Sequence, residues 1–291
     1  MPIPYPTTLR ASVRHLFHVA KYATAALFCS LLPTVCQAQD AVLADSAIAP
    51  RKIITNSRLV GIGGVSLLDT YITPEEYSGT ELRYISRTIR EREGRHWVRL
   101  IRHEGRAALA RNRADNANDI AADYTFTYGL LHRWTMLDGR LDVSAGASAD
   151  LNAGFLYNTR GGNNPAQARL SLNAGPVAAA EYRFSVGKQR MAVCYEAQMP
   201  LCGLMFSPNY GQSYYEIFSR GDYDHNVVPT TVIATPSLRQ TVTLDIRIKH
   251  ATLSLGYLCD LRQTKVNNLK YHSYSHMFVF GLKRRFSIVK I

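Results

Sequence analysis

Asp222, Asp224 and His225 place two carboxylates and an imidazole within four positions. Such a group can pass protons or hold a metal ion. Here the spacing matches no metal-ligand or catalytic motif. The same segment, Cys202–Thr230, also carries Tyr210, Tyr214, Tyr215, Phe218, Tyr223 and Arg220. It exceeds an ordinary connection, and connections of that length usually have a task. Its aromatics suit a lid over a rim, an interfacial girdle, or contact with glycan or lipid. Arg220-Gly221-Asp222 spells an adhesion tripeptide that occurs as readily by coincidence. His272 and His276 face away from Ser273, so they form no acyl-transfer dyad with it. Gly61-Ile62-Gly63-Gly64 precedes no helical pattern and is not a nucleotide loop. No cofactor or metal is expected.

A second set of reactive side chains is spread over the chain with strand parity. Arg140–Tyr157 shows it most cleanly. Leu141, Val143, Ala145, Ala147, Ala149, Leu151, Ala153 and Phe155 share one face. Asp142, Ser144, Gly146, Ser148, Asp150, Asn152 and Gly154 share the other. A helix would mix the two sets. The polar faces of such runs collect Asp123, Asp142, Asp150, Glu181, Glu196, Asp245 and Asp260. Against them stand Arg169, Arg183, Arg239, Arg247, Arg262, Lys283 and Arg285. Enclosed charges of both signs should pair across strands. A polar plug follows from that pairing, and a narrow solute pore is the alternative.

The runs that must carry these residues are Ser57–Leu68, Glu81–Arg90, His96–Leu109, Ile120–Trp134, Arg140–Tyr157, Ala168–Phe184, Arg190–Leu201, Val232–Ile248, Ala251–Arg262 and Tyr271–Phe286. That is about ten strands, with twelve possible, each long enough to cross a bilayer with tilt. Glu91–Arg95, Leu137–Arg140, Val186–Gln189 and Lys249–His250 read as short turns, the remaining connections as longer loops. Alternation of the two is the habit of a bacterial outer-membrane barrel, with short turns in the periplasm. A soluble β-sandwich gives no reason for it and would not line its core with charge. The expected fold is a single antiparallel transmembrane β-barrel.

The N-terminus fits export. Arg10, Arg14 and Lys21 precede the apolar Ala23–Pro33, and Cys36-Gln37-Ala38 offers small residues before a cut. Residues 1–38 read as a signal peptide, 39–55 as an extension and 56–291 as the barrel. A buried N-terminal helix is the alternative, and Pro33-Thr34-Val35 is a poor context for lipidation at Cys36. No later stretch is long and apolar enough for a membrane helix.

The chain carries 34 Lys+Arg and 22 Asp+Glu. After export that balance suits lipid headgroups and lipopolysaccharide phosphates rather than nucleic acid. Cys194, Cys202 and Cys259 are odd in number and form no disulfide framework.

Several segments resemble an uncharacterised family of barrel-like exported proteins from Bacteroides-type bacteria. They are Asn56 with Leu67-Leu68-Asp69-Thr70-Tyr71, Tyr77-Ser78-Gly79-Thr80-Glu81, and Asn158 to Pro165. The most specific is Met205 to Phe218, and Lys265 to Tyr271 also fits. The resemblance implies an outer-membrane barrel and no activity. Phe286 closes the last run like the aromatic ends read by barrel-assembly machinery in outer-membrane families it resembles, although Ser287-Ile288-Val289-Lys290-Ile291 follows it. The surface ligand is not named by any of these features.

Overall fold

The computed structural model describes residues 51–162, 164–249 and 251–288. The signal peptide, its cut after Ala38, residues 39–50 of the extension and the last three residues lie outside them. The strands are β1 (Lys52–Asp69), β2 (Thr73–Arg92), β3 (Trp97–Asn112), β4 (Asn118–Met136), β5 (Leu141–Asn158), β6 (Ala166–Val186), β7 (Gln189–Gln198), β8 (Cys202–Phe206), β9 (Val227–Thr231), β10 (Ser237–Ile248), β11 (Ala251–Val266) and β12 (Leu269–Ile288). One helix, α1 (Tyr214–Phe218), lies between β8 and β9.

Ten of these strands close an antiparallel barrel in the order β1 to β7, then β10, β11, β12 and back to β1. The β8–β9 hairpin extends from one rim, with Cys202 of β8 paired to Ala174 of β6. Outward side chains such as Ile62, Leu151 and Phe278 are 51%, 54% and 53% exposed. A soluble protein would not leave such a band open to water; a bilayer would cover it. Inward neighbours such as Leu67, Leu100 and Val279 are fully buried.

The strands run further than their sequence pattern indicates. β2 begins at Thr73 instead of Glu81, and β1 takes in residues 52–55 of the expected extension. The longer loops expected over Asp69–Thr80, Arg111–Asp119 and Lys265–Lys270 therefore shrink to residues 70–72, 113–117 and 267–268. Only residues 159–165 and 199–236 remain long at that rim. The physical reason is height. A strand of about 20 residues is roughly 66 Å long, or about 47 Å tall at 45° tilt, against a band of about 25 Å. The surplus stands in water, where outward Glu76, Ser78 and Thr80 replace apolar residues and the alternation fades.

Two prolines set another boundary. Pro200 follows β7 and Pro236 precedes β10, so the ladder between them ends at Arg239 opposite Gln198. Neither imide nitrogen can donate to it. Val232–Pro236, expected within a strand, is a turn instead.

Closure also needs space at the seam. A Cβ on inward Gly281 of β12 would lie 2.0 Å from the Arg58 carbonyl oxygen of β1. One on Gly63 would lie 2.1 Å from that of His276. Gly281→Val should therefore prevent closure, read as loss of the fast-migrating folded band on an unheated SDS gel.

Candidate functional site

The barrel interior is organised around Arg83, whose side chain is fully buried. It donates to Glu104 at 2.8 Å, to Asp260 at 2.7 Å and through Nε to Glu81 at 2.8 Å. Glu104 also accepts from Arg239 at 2.9 Å. Arg262 donates to Asp260 and Asp123, and Arg106 reaches Asp123, Glu81 and the Ser273 hydroxyl. In the next layer Glu196 accepts from Arg87 and Arg102, each at 2.8 Å. Nearer the chain termini, Lys283 bridges Glu181 and Asp245, Arg183 joins Glu181 to Asp142, and Glu91 meets Arg133 and Arg285. These contacts span the lumen. Arg102 and Glu104 stand on β3, while Glu196 and Arg239 stand on β7 and β10 in the opposite wall.

The expected network is thus largely brought together. Arg247 is the departure: it is exposed at the rim and makes no ion pair among the described residues. It has inward parity but lies past the enclosed part of β10. Asp150 accepts from Thr127 and Gln198, each at 2.5 Å, and has no cationic partner among the described residues. Arg169 pairs with Asp69 at 3.5 Å and stacks on Tyr271, its guanidinium 3.4 Å from the ring centroid.

Sequence reasoning missed the centre of the network: Glu81, Arg83, Arg87, Glu91, Arg102, Glu104, Arg106 and Arg133. Arg133 stands on β4; the others, on β2 and β3, share the inward face with Ile85, Ile89, Val98 and Leu100. A face mixing charge with large apolar groups breaks the alternation that marks the other strands. The usable signal was opposite charges at matching parity, Glu81 with Arg83 and Arg102 with Glu104 and Arg106.

One cavity of about 170 Å³ lies on the side of the termini and another of about 140 Å³ on the other. Arg102 and Arg239 line both.

The long connection closes over the second rim. Ser213 caps α1, and Glu216 completes a capping box by accepting from the Ser213 amide at 2.7 Å. Those hydrogen bonds hold the Glu216 carboxyl below its usual range. Tyr214 accepts from the Ala168 amide of β6, and its ring meets Tyr71 edge-on at 5.9 Å. Tyr71 donates to the Gln212 carbonyl at 3.0 Å, across the mouth from β6. The Asn267 amide donates to the carbonyls of Ser207, Pro208 and His225. The segment is therefore anchored at three places around the rim.

Of the loop aromatics, Tyr214 packs inward. Tyr210, Tyr215, Phe218 and Tyr223 are exposed, although Phe218 stacks on Tyr214 at 6.0 Å. Asp224 and His225 pair at 2.7 Å on the surface, and the Asp222 carbonyl accepts from Gln212. No group of three or more metal-ligating side chains occurs among the described residues.

A closed ten-stranded antiparallel barrel with an apolar exterior is the architecture seen in outer-membrane β-barrels. Among similar solved structures is the outer membrane protease OmpT from Escherichia coli, at 8% identity and TM-score 0.41, covering 84% of this chain and 99% of that one. Neisserial surface protein A gives 10% identity and TM-score 0.32, covering 80% and 97%. The translocator domain of the autotransporter NalP from Neisseria meningitidis gives 11% and 0.38, covering 92% and 98%. Likeness at this level is no ground for transferring an activity. Residues 24–291 match the family described as "Protein of unknown function (DUF3316)", and the chain belongs to that family. No curated protein matches it in sequence.

Removing Arg83 leaves three facing carboxylates without their shared cation. Arg83→Met should cost roughly 3–5 kcal/mol, as breaking buried pairs does, read as a lower urea midpoint in detergent. The capping box gives a pH effect. Glu216 has a depressed folded pKa, so its contribution is complete above the ordinary glutamate range and lost as pH falls through the folded value. Hydrogen exchange over α1, corrected for the intrinsic rate, should quicken on acidification below about pH 4, and already be fast in Glu216→Ala at neutral pH.

Proposed function

We propose that the protein is an outer-membrane barrel whose lumen is closed to solute and whose structured outer loop meets ligands at the cell surface. One observation carries the closure: ion pairs from Arg102 and Glu104 on β3 reach Glu196 and Arg239 on the far wall. A flowing solute would have to break contacts that leave buried charge unpaired. The bilayer placement rests on the exposed apolar band and its borders. Arg58, Arg90, Arg99 and Arg284 point outward toward the rim that holds the termini, beside exposed Trp97 and Trp134. Arginine stems and indoles of that kind suit a headgroup interface. Both ends of the barrel lie at that rim, which makes it the periplasmic one.

At the other rim Arg111, Arg113, Arg160, Lys265 and Lys270 are exposed and suit lipopolysaccharide phosphates. Export by a signal peptide, handling of β12 by the barrel-assembly machinery, and a Bacteroides-type source belong to the same reading. An enzyme at the outer rim is the weaker reading, because the Asp224–His225 pair lines neither interior cavity. In planar bilayers the protein should insert without steady ion conductance. Sustained conductance would move the reading to a narrow channel, and recovery in the soluble periplasm would remove the barrel from the membrane.

A further inference from the structure

The barrel wall has an interruption that coincides with the 140 Å³ cavity. Below it lies the last β7–β10 ladder pair, Gln198 with Arg239. One side is β9, which pairs only with β8, and the other is the end of β11 beyond Arg262, where β10 stops. Above, Asn267 in the β11–β12 turn holds the loop end of the hairpin at Ser207 and His225. Val232–Pro236 crosses this window, and one backbone hydrogen bond, from the Lys265 amide to the Ala234 carbonyl at 2.8 Å, joins it to β11. Pro200, Met205, Thr235, Ser237 and Leu238 line both the break and the cavity behind it.

The two sides of the window differ in polarity. Outside, Leu170, Leu204 and Ile233 are 46%, 45% and 89% exposed. Along β11 the outward residues change there from Leu261 to Gln263, as they would where acyl chains give way to headgroups. Inside, Asp150 is a carboxylate with no cationic partner among the described residues. Arg102 and Arg239 each keep a buried Nε–H without an acceptor, that of Arg102 being 3.7 Å from Glu104, too far for a hydrogen bond. Asp150 thus lacks a cation, while Arg102 and Arg239, each paired through other nitrogens with Glu196 or Glu104, keep one free donor apiece.

We infer that the window is a lateral binding site for a lipid whose headgroup joins a phosphate to a primary ammonium. The phosphate meets Arg102 and Arg239, the ammonium meets Asp150, and the acyl chains stay against Leu170, Leu204 and Ile233. The cavity is close in size to engineered ones of about 150 Å³ that hold benzene, so it takes a compact zwitterion and not an oligosaccharide. This inference rests on the membrane placement proposed above.

The test is native mass spectrometry of the intact mature protein in detergent, titrated with three probes. These are short-chain phosphatidylethanolamine, short-chain phosphatidylcholine, and glycerophosphoethanolamine, which has the same headgroup and no acyl chains. The ethanolamine lipid should be retained about tenfold more strongly than either other probe. Asp150→Asn, which keeps the side chain's shape, should erase the preference over the choline lipid. Thr235→Trp, which fills the window, should abolish retention, with the folded gel band as the control for both variants. Equal retention of the choline lipid, or an unchanged preference in Asp150→Asn, would overturn the assignment. Retention of the free headgroup as strong as the lipid's would overturn the lateral route. Failure to insert into lipid vesicles sinks the membrane placement itself, whereas insertion without headgroup preference sinks only the lipid site.

Discussion

A barrel of this strand number encloses more space than small side chains can fill and less than an aqueous channel needs. Whatever occupies that space touches opposite walls at once. Here much of the filling is guanidinium and carboxylate, and Arg83 sets its terms. An arginine cannot shed its proton to escape burial, so carboxylates on β2, β3 and β11 must meet it at hydrogen-bond distance. Those contacts fix the position of three strands relative to one another. Apolar side chains would fill the same volume with less need for exact placement. Ile85, Leu258 and Met277 do so in a neighbouring cluster.

The loop over the outer rim depends on the same arrangement. Asp69, at the end of β1, pairs with Arg169 of β6, and Arg169 lies on Tyr271 of β12. Two residues past Asp69, within the turn after β1, Tyr71 reaches the loop, and one residue before Arg169, Ala168 donates to Tyr214. The loop therefore takes its anchors from backbone that the interior charges already hold. Its own capping box orders only the short helix between them.

Much of the wall was legible in the sequence, because a lipid-facing strand must alternate. Arg140–Tyr157 became β5 almost residue for residue. The interior was half legible. Strands with small or polar inward residues announced their charges, as β10 did with Arg239 and Asp245. β2 and β3 did not, because Ile85 and Leu100 share their inward faces with Arg83 and Arg102. Strand ends beyond the bilayer were hidden for a different reason: with water outside, no outward apolar residue is required. The interruption at Pro200 and Pro236 was visible as two prolines, but their pairing across neighbouring strands needs the register. The candidate acid–histidine group was easy to see, and the structure pairs the Asp224 and His225 side chains on the surface of the loop.

The overhang of the strands has a consequence for what the loop can touch. Outward Glu76, Ser78 and Thr80 mark wall that is no longer in lipid, and the rim lies further out still. The barrel is therefore a pedestal, and Tyr215, Phe218 and Tyr223 are carried on a stiff cylinder rather than on a tether. A tethered aromatic could dip back into the bilayer; these are held off it. Their height above the lipid-facing band is set by the wall.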